Sequence, residues 1–270
     1  NTYLPTNPMT NTDADVNVEK MVKGGLDVAY WGAYTSGKMT EDKSSIDYQY
    51  ANNSLLSSIN ALYYVDKHNQ KLDIATSTKE IKKLVKQGKV VAVPQIEGAY
   101  SLNEENAIEL LRQYYDLGVR CLSLAHSNSS TLSEGINEYF PDKTPSSGGL
   151  SDKGEEVIKE MNRLGMVVDL SHLSEDSINE ILDKSKSPVI ASHTGVRAIV
   201  DTERNLTDEQ LDKLAKNGGV AQVTFYTGII SNNERNVSSK DVCNVIDYIV
   251  DRIGIDHVGI GSDFDSAPMP

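Results

Sequence analysis

Residues 166–194 read MVVDLSHLSEDSINEILDKSKSPVIASHT, and this stretch decides the fold. It begins with the apolar run Met166–Leu170 and ends with a second run, Pro188–Ala191, and a polar, helix-like segment separates the two. Short Val- and Ile-rich runs bounded by Gly, Pro or Lys are typical of buried parallel strands. Because His172 and His193 follow these runs and stand 21 residues apart, about one β/α unit, we expect them on adjacent strands.

The same alternation extends along the whole chain. Ser77 with Glu80 and Thr207 with Gln210 form capping boxes, which predict the starts of two helices between the apolar runs. The seven apolar runs are Leu26–Tyr34, Val90–Ile96, Val119–Ala125, Met166–Leu170, Pro188–Ala191, Val220–Tyr226 and His257–Ile260. Strands that alternate with helices, without a second composition regime, favour an α/β fold of the (β/α)8 TIM-type barrel class.

A barrel of this class needs eight strands, and only seven runs are visible. A helix-like segment, Val16–Lys23, already precedes the first run, so we expect the first strand to lie before Asn1 and the final C-terminal helices to lie beyond Pro270. On this interpretation residues 1–270 form a single, incomplete barrel domain. An open seven-stranded sheet is the alternative. One long polar loop, His126–Gly149, follows a strand, where barrel sites are built.

The composition excludes several classes of protein. Hydrophobic residues make up 39% and charged residues 24%, which suits a globular core. With 26 basic and 39 acidic residues the net charge is −13, which argues against a nucleic-acid partner. No run of about 18 apolar residues predicts a membrane span. Cys121 and Cys243 are too few for a disulfide framework or a CxxC zinc site.

Polar residues gather at the carboxyl ends of the predicted strands. They are Glu97, His126, His172, His193 and Asp263, each after a different run. Barrel enzymes hold their active sites at this face, so a closed barrel would bring all five into one mouth. A single histidine at a strand end is more often a hydrogen-bonded structural residue, but five such residues on five strands are difficult to explain by packing.

Imidazole and carboxylate groups are the ligands of catalytic zinc sites, which keep a position open for water. Two metals roughly 3.5–4 Å apart can share a bridging hydroxide, and a carboxylate between them, as Glu97 could be, would hold them at that distance. Asp169 stands within the strand before His172. It either orients an imidazole or is a structural or solvent-facing residue.

Six motifs follow one another in order along the chain. They are QIEGAYS (95–101), VRCLSLAHSNS (119–129), VVDLSHLSEDS (167–177), PVIASHTGVRAI (188–199), TERN (202–205) and HVGIGSDFD (257–265). From about Met21 to its end, the chain resembles the renal (membrane) dipeptidase family of metallopeptidases. The resemblance implies a (β/α)8 barrel of the amidohydrolase superfamily with two zinc ions, in which a metal-activated hydroxide hydrolyses the peptide bond of dipeptides.

The resemblance also implies a set of metal ligands. Glu97 would bridge the two zinc ions, and His172 and His193 would bind the second one. In the family, a His-x-Asp pair on the first strand completes the first zinc site. Residues 1–20 contain no His, so this pair is absent from the chain and is expected on the strand predicted before Asn1.

Four further residues receive roles from the resemblance. His126 would contact the substrate or the tetrahedral intermediate, and Tyr226 would line the pocket. Arg204 would pair with the free carboxylate of the dipeptide. Asp263 would act on the proton at the scissile nitrogen. These roles agree with general chemistry, since a guanidinium binds a carboxylate through two parallel hydrogen bonds and the leaving amine must be protonated.

Two alternative functions stay open. The first is a related amide, lactam or lactone hydrolase, because the metal centre fixes the reaction and the loops fix the substrate. The second is a non-catalytic barrel that has lost the first metal site, which the absent His-x-Asp pair supports. The expected partner is a small dipeptide, without nucleic acid and without a membrane span in this chain, and the resemblance suggests a homodimer. The compartment, cytoplasmic or exported, depends on sequence before Asn1.

Overall fold

The computed structural model describes residues 14–41, 45–126, 128–136, 148–233, 236–265 and 270 of the 270-residue chain. The long polar loop predicted at residues 126–149 is therefore described in part, since residues 127 and 137–147 lie outside these ranges. Within the described ranges, no helix combines the length and the apolar character that crossing a lipid bilayer requires.

Eight parallel strands form one curled sheet. They are β1 (Val28–Tyr34), β2 (Leu72–Ile74), β3 (Val90–Glu97), β4 (Cys121–Ser123), β5 (Val167–Asp169), β6 (Ile190–Thr194), β7 (Val220–Val223) and β8 (Val258–Ile260). Hydrogen bonds connect them in the order β1-β3-β4-β5-β6-β7-β8, and β2 pairs with β3 beside this path. The parallel strands curl into a half-barrel of the TIM type, so the predicted fold class is confirmed.

The sequence analysis did not identify β2. This strand has three residues with Asp73 in the middle, so no apolar run marks it. It pairs with residues 90–92 of β3, whereas β4 pairs with residues 95–97, and the two short strands therefore share one long neighbour. The seven predicted runs form the connected path of the sheet, but the strand count was one short. The strand predicted before Asn1 stays a prediction.

At least one helix separates each pair of successive strands. The α-helices are α1 (Val18–Gly24), α2 (Tyr48–His68), α3 (Thr78–Lys86), α4 (Ala107–Asp116), α5 (Asp152–Leu164), α6 (Glu175–Lys184), α7 (Asp208–Asn217), α8 (Thr227–Ile230) and α9 (Ser239–Ile253). The local sequence explains their ends. In α5, for example, the Ser151 side chain accepts the N–H of Gly154 at the start, and Gly165 takes the left-handed conformation (φ 75°) that ends the helix.

One of the two predicted capping boxes is complete. Thr207 and Gln210 exchange both hydrogen bonds at the start of α7. At α3, the Ser77 hydroxyl accepts the N–H of Glu80 as predicted, and the Glu80 carboxylate also accepts the N–H and the hydroxyl of Thr76. Helix α3 therefore begins where the sequence predicts, and the residue before the cap adds two donors to Glu80.

Buried residues of the sheet hold the candidate site in place. Residues 90–96 of β3 are all buried, as expected for a parallel strand covered on both faces. Buried polar side chains also occur inside the sheet, since Gln95 and Ser192 both hydrogen-bond to Asp169 across β3, β5 and β6. These three side chains therefore share one face of the sheet, next to the carboxyl edge where Glu97 and His193 stand.

Candidate metal centre

Glu97 is the last residue of β3 and stands at the carboxyl edge of the sheet. It pairs with Tyr34 in β1 and with Ser123 in β4, which fixes its backbone on both sides. Its Oε1 lies 3.2 Å from Nε2 of His172 and 3.2 Å from Nε2 of His193. The ligand atoms of these three residues lie within 4.8 Å of one another, and no other such group of His, Cys, Asp and Glu occurs in the described part of the chain.

His172 reaches the centre from an unusual backbone conformation. It follows β5 and has φ of 71°, in the left-handed region that non-glycine residues rarely adopt. Its carbonyl accepts the N–H of Ile136, which holds the turn. Among the described residues, the other non-glycine positions with positive φ are Asp263 and Asp265, which also stand at the carboxyl edge of the sheet. A strained backbone of this kind persists only where many surrounding contacts hold it in place, and such positions cluster at functional sites.

His193 lies within β6 and is held at both its backbone and its ring. Its N–H donates to the Ser171 hydroxyl (3.0 Å), which in turn donates to the His193 carbonyl (3.2 Å). Its Nδ1 lies 2.8 Å from Oγ of Ser192, and its Nε2 points toward Glu97. The imidazole therefore contacts Ser192 through Nδ1 and faces the candidate centre through Nε2.

The electrostatics of the two buried rings fit a cation. Burial lowers the pKa of His172 well below its usual range, and the nearby Arg204 lowers it further. Burial also lowers the pKa of His193 strongly, although the Glu97 carboxylate opposes this. Both rings are then neutral at pH 7, and each keeps one lone pair. Their Nε2 atoms lie only 2.8 Å apart, so a proton or a metal ion is needed between them.

The donor atoms of the centre match those of one known class of metal site. His172 Nδ1 is buried without a hydrogen-bond partner among the described residues, so this ring acts through Nε2. Two imidazole nitrogens and a carboxylate oxygen are the ligands of catalytic zinc sites. The residues present therefore fit a zinc-type ion.

His126 lies beside the centre, as the sequence predicts. Its ring stacks on that of His172 (centroids 3.8 Å apart) and meets Tyr34 edge-on at 4.7 Å. Its Nε2 is 3.8 Å from Oε1 of Glu97, beyond hydrogen-bonding distance. Burial lowers the pKa of His126. The sequence analysis did not identify Tyr34 as a site residue, although this residue also ends a strand.

Arg204 of the TERN motif reaches the same centre. Its Nη2 lies 3.2 Å from Nε2 of His172. Arg204 also lines a cleft of about 260 Å³ together with Ile136, Thr202 and Glu203. The guanidinium thus stands between the candidate metal ligands and this cleft.

Asn205 anchors the loop that carries Arg204, although the sequence analysis gave this last residue of the TERN motif no role. Its Oδ1 accepts the N–H of Gly195 (2.9 Å), and its Nδ2 donates to the carbonyls of Val200 (2.9 Å) and Ile229 (2.8 Å). Asn205 is 1% exposed, so these bonds are shielded from water. A β-carbon on Gly195 would lie 2.5 Å from Oδ1 of Asn205, which explains the glycine.

Asp263 and Tyr226 stand at the same edge of the sheet. Asp263 follows β8 by three residues, after Gly261, whose α-carbon lies so close to Ser192 that a β-carbon would be 1.8 Å from its carbonyl oxygen. Tyr226 follows β7, and its ring lies over Gly228. Neither residue belongs to the group of mutually close ligand atoms. Their roles toward the substrate stay predictions.

Asp169 is fully buried beneath the centre. Its Oδ1 accepts the N–H groups of Ser171 (3.0 Å) and Ser192 (2.9 Å), and its Oδ2 accepts from Gln95 (2.8 Å) and from the Ser192 hydroxyl (2.5 Å). Burial raises the pKa of Asp169, and the hydrogen bonds from Ser192 and Ser171 oppose that rise. Of the interpretations drawn from the sequence, the solvent-facing one is wrong.

A comparison with models of protein families shows to which family the chain belongs. A model of the membrane dipeptidase family, peptidase family M19, matches residues 2–270. The chain belongs to this family. The resemblance inferred from six sequence motifs is therefore confirmed, and this membrane dipeptidase family member carries its candidate metal ligands on strands β3 and β6 and on the turn after β5.

Comparisons with individual proteins also find dipeptidases. Dipeptidase tcpJ of Claviceps purpurea is 29% identical over 263 residues, which cover 97% of this chain and 60% of that protein. Dipeptidase verJ of Clonostachys rogersoniana is 31% identical over 260 residues, covering 95% and 65%. The crystal structure of dipeptidase AC, an M19 metallopeptidase, superposes with a TM-score of 0.86 at 25% identity and covers 96% of this chain and 78% of the other. The chain thus spans less than two thirds of the length of these two curated relatives.

Proposed function

We propose that this chain is the metal-binding part of a zinc-dependent dipeptidase that hydrolyses the peptide bond of small dipeptides. The observation that carries the proposal is the convergence of Glu97, His172 and His193 with the Arg204 guanidinium beside them. A cation site next to a carboxylate-binding group suits the hydrolysis of a free dipeptide. The dipeptidases among the similar proteins support the same substrate class.

The metal ligands have distinct tasks in this proposal. His172 and His193 would hold the second zinc ion through Nε2, and Glu97 would bridge it to the first zinc ion. The remaining ligands of the first ion would come from the His-x-Asp pair predicted before Asn1. Zinc in such a site supplies a water of near-neutral pKa and a positive charge for the developing oxyanion.

Arg204 would select the substrate. A dipeptide carries a free carboxylate, and a guanidinium binds it through two parallel hydrogen bonds that Lys does not reproduce. The cleft beside Arg204 would then hold the C-terminal residue of the dipeptide. Tyr226 would line the substrate pocket, as the family resemblance implies. The buried amide of Asn205 keeps the loop in place, so the guanidinium is oriented before the substrate arrives.

Asp263 and His126 would handle protons and charge. Water attacks the peptide carbonyl and loses a proton to the Asp263 carboxylate, which returns that proton to the nitrogen as the carbon–nitrogen bond breaks. The products are two free amino acids. His126, stacked on His172 and kept neutral by its low pKa, would contact the carbonyl oxygen on which charge develops.

A chelation experiment on the complete protein tests the function. Dipeptide hydrolysis should disappear after metal removal and return when zinc is added back. Full activity in the thoroughly chelated protein would rule out the metal mechanism, and no hydrolysis in the zinc-loaded protein would favour the non-catalytic alternative. The homodimer is a separate proposal from the resemblance, and sedimentation of the same preparation tests it.

A further inference from the structure

We infer that Asp169 and Ser192 are positioning residues that decide which ring nitrogen of His193 carries its proton. The inference rests on the proposed zinc function and deepens it. His193 presents Nε2 to Glu97 at 3.2 Å and Nδ1 to Ser192 Oγ at 2.8 Å. A neutral imidazole carries one proton, so the partner of Nδ1 determines whether Nε2 keeps the lone pair that a metal needs.

Ser192 has a single hydroxyl hydrogen to donate. Two acceptors other than His193 lie within reach, Oδ2 of Asp169 at 2.5 Å and Oγ of Ser171 at 3.3 Å. The shorter bond to the carboxylate takes this hydrogen, because a charged acceptor forms the stronger hydrogen bond. Ser192 therefore meets His193 as an acceptor. Nδ1 must then donate, and Nε2 keeps its lone pair toward the centre.

Asp169 sets the direction of the hydrogen bonds that run from His193 through Ser192. The N–H groups of Ser171 and Ser192 can only donate, and both point to Oδ1 of Asp169. Gln95 donates its amide to Oδ2 beside the Ser192 hydroxyl. Asp169 is fully buried, so these protein groups define its surroundings. The carboxylate accepts from all four donors, which fixes it as the acceptor at the end of the chain.

Asp169 also has a structural task, which the test must separate from positioning. Within the described residues, Asp169 with Ile190 is the one register pair between β5 and β6, and the Asp169 carboxylate adds a bond to the Ser192 backbone. Substitution of Asp169 would therefore disturb the sheet as well as the ring. Ser192→Ala is cleaner, because it removes the hydroxyl and leaves that backbone bond in place.

Ser171 provides the matched control. Its hydroxyl is equally buried and contacts the main chain of His193, at N and O, and not its imidazole. Ser171→Ala therefore removes a neighbouring hydroxyl of the same strand pair without changing the partner of Nδ1. Ser192→Thr keeps a hydroxyl at the decisive position and serves as the conservative variant.

The experiment uses the complete protein labelled with ¹⁵N at its histidines. In the metal-free protein at pH 8, NMR should show His193 protonated at Nδ1 in the wild type, in Ser192→Thr and in Ser171→Ala. In Ser192→Ala the Nε2-protonated form should appear. Zinc affinity, measured by competition with a chelator, should fall by about 10–100-fold in Ser192→Ala alone. The melting temperature should fall by a similar amount in Ser192→Ala and in Ser171→Ala, because each variant loses a buried hydroxyl.

Three results would overturn the inference. They are an Nε2-protonated His193 in the wild type, an unchanged zinc affinity in Ser192→Ala, and an equal loss in Ser171→Ala. Failure of zinc to bind the wild type would instead defeat the proposed function. The NMR signals of the metal-free protein would still decide whether Asp169 and Ser192 set the proton of His193.

Discussion

Nε2 of His172 lies 2.8 Å from Nε2 of His193, and Oε1 of Glu97 lies 3.2 Å from each of them. Both imidazoles are buried, and burial lowers the pKa of both. Two neutral rings that face each other through the same nitrogen need a proton or a cation between them. The protonation of His172 and His193 should therefore affect both the metal affinity and the stability of the protein.

Removal of one ligand should abolish tight zinc binding. We expect His193→Ala to lower zinc affinity by more than about 100-fold, beyond the 10–100-fold typical of losing an outer hydrogen-bond partner. Chelator competition on the complete protein measures the affinity. His68→Ala is the control, because His68 is exposed on α2 and bonds to the Tyr64 carbonyl. Equal zinc affinity in His193→Ala and in the control would contradict the assignment.

The metal-free protein should lose stability as the pH falls below about 6.5. The folded-state pKa of His172 and His193 is depressed, so the unfolded chain binds more protons in this range. The free energy of unfolding should then fall by up to about 1.4 kcal/mol per pH unit for each ring. Urea unfolding between pH 7.5 and 5.5 measures this slope. His193→Gln should flatten it, and an identical slope would refute the explanation.

Arg204 should control recognition of the substrate carboxylate. We expect Arg204→Met to lower kcat/KM for dipeptides by about 30- to 1000-fold, which corresponds to a loss of 2–4 kcal/mol for a buried charge pair. Turnover of an uncharged amide should hardly change. Arg163→Met is the control, since Arg163 pairs with Glu160 on α5, away from the TERN motif. If both substrates suffered equally, the related amide hydrolase would become the better assignment.

Asn205 should affect both stability and substrate binding. Asn205→Ala removes three buried hydrogen bonds, so we expect a loss of about 2–4 kcal/mol in unfolding free energy and a higher KM for dipeptides. Asn217→Ala is the matched control, because its amide also joins two segments, at Val189 and Ser187, but near the start of β6. It should destabilise the protein without changing KM. A raised KM in both variants would mean that general loosening explains the effect.

Glu160 should stabilise the protein above mildly acidic pH. Its carboxylate lies 2.6 Å from Arg112 and 2.7 Å from Arg163, and hydrogen bonds from Arg163 and Arg112 lower the pKa of Glu160 to about 2. A depressed carboxyl pKa stabilises the fold above about 4.5, and this contribution is lost as the pH falls toward 2.

At pH 7 we expect Glu160→Gln to cost about 1–2 kcal/mol of unfolding free energy, a reduced value because both guanidinium groups are half-exposed. The cost should shrink between pH 4.5 and 3. Glu156→Gln, at an exposed ion pair with Lys153 in the same helix, should change stability little. A pH-independent difference between Glu160→Gln and the wild type would contradict the role of the charge.

Much of the framework follows from local sequence. The apolar runs predict the seven strands of the connected path, because buried parallel strands need continuous apolar side chains. The strand ends then locate Glu97, His126, His172 and His193, since the carboxyl ends of parallel strands meet at one edge. The three-residue strand β2 was not predicted, because it contains no apolar run. Its formation depends on pairing with β3.

The sequence by itself determined the type of fold, the edge at which the chemistry gathers and the residue types gathered there. Tertiary structure decided the contacts among them. Only the register of β5 and β6 brings Asp169 to Ser192, and only the fold of the TERN loop brings Arg204 to His172. Hydrogen bonds between residues more than 20 positions apart depend on strand register and shared burial, which local periodicity does not encode.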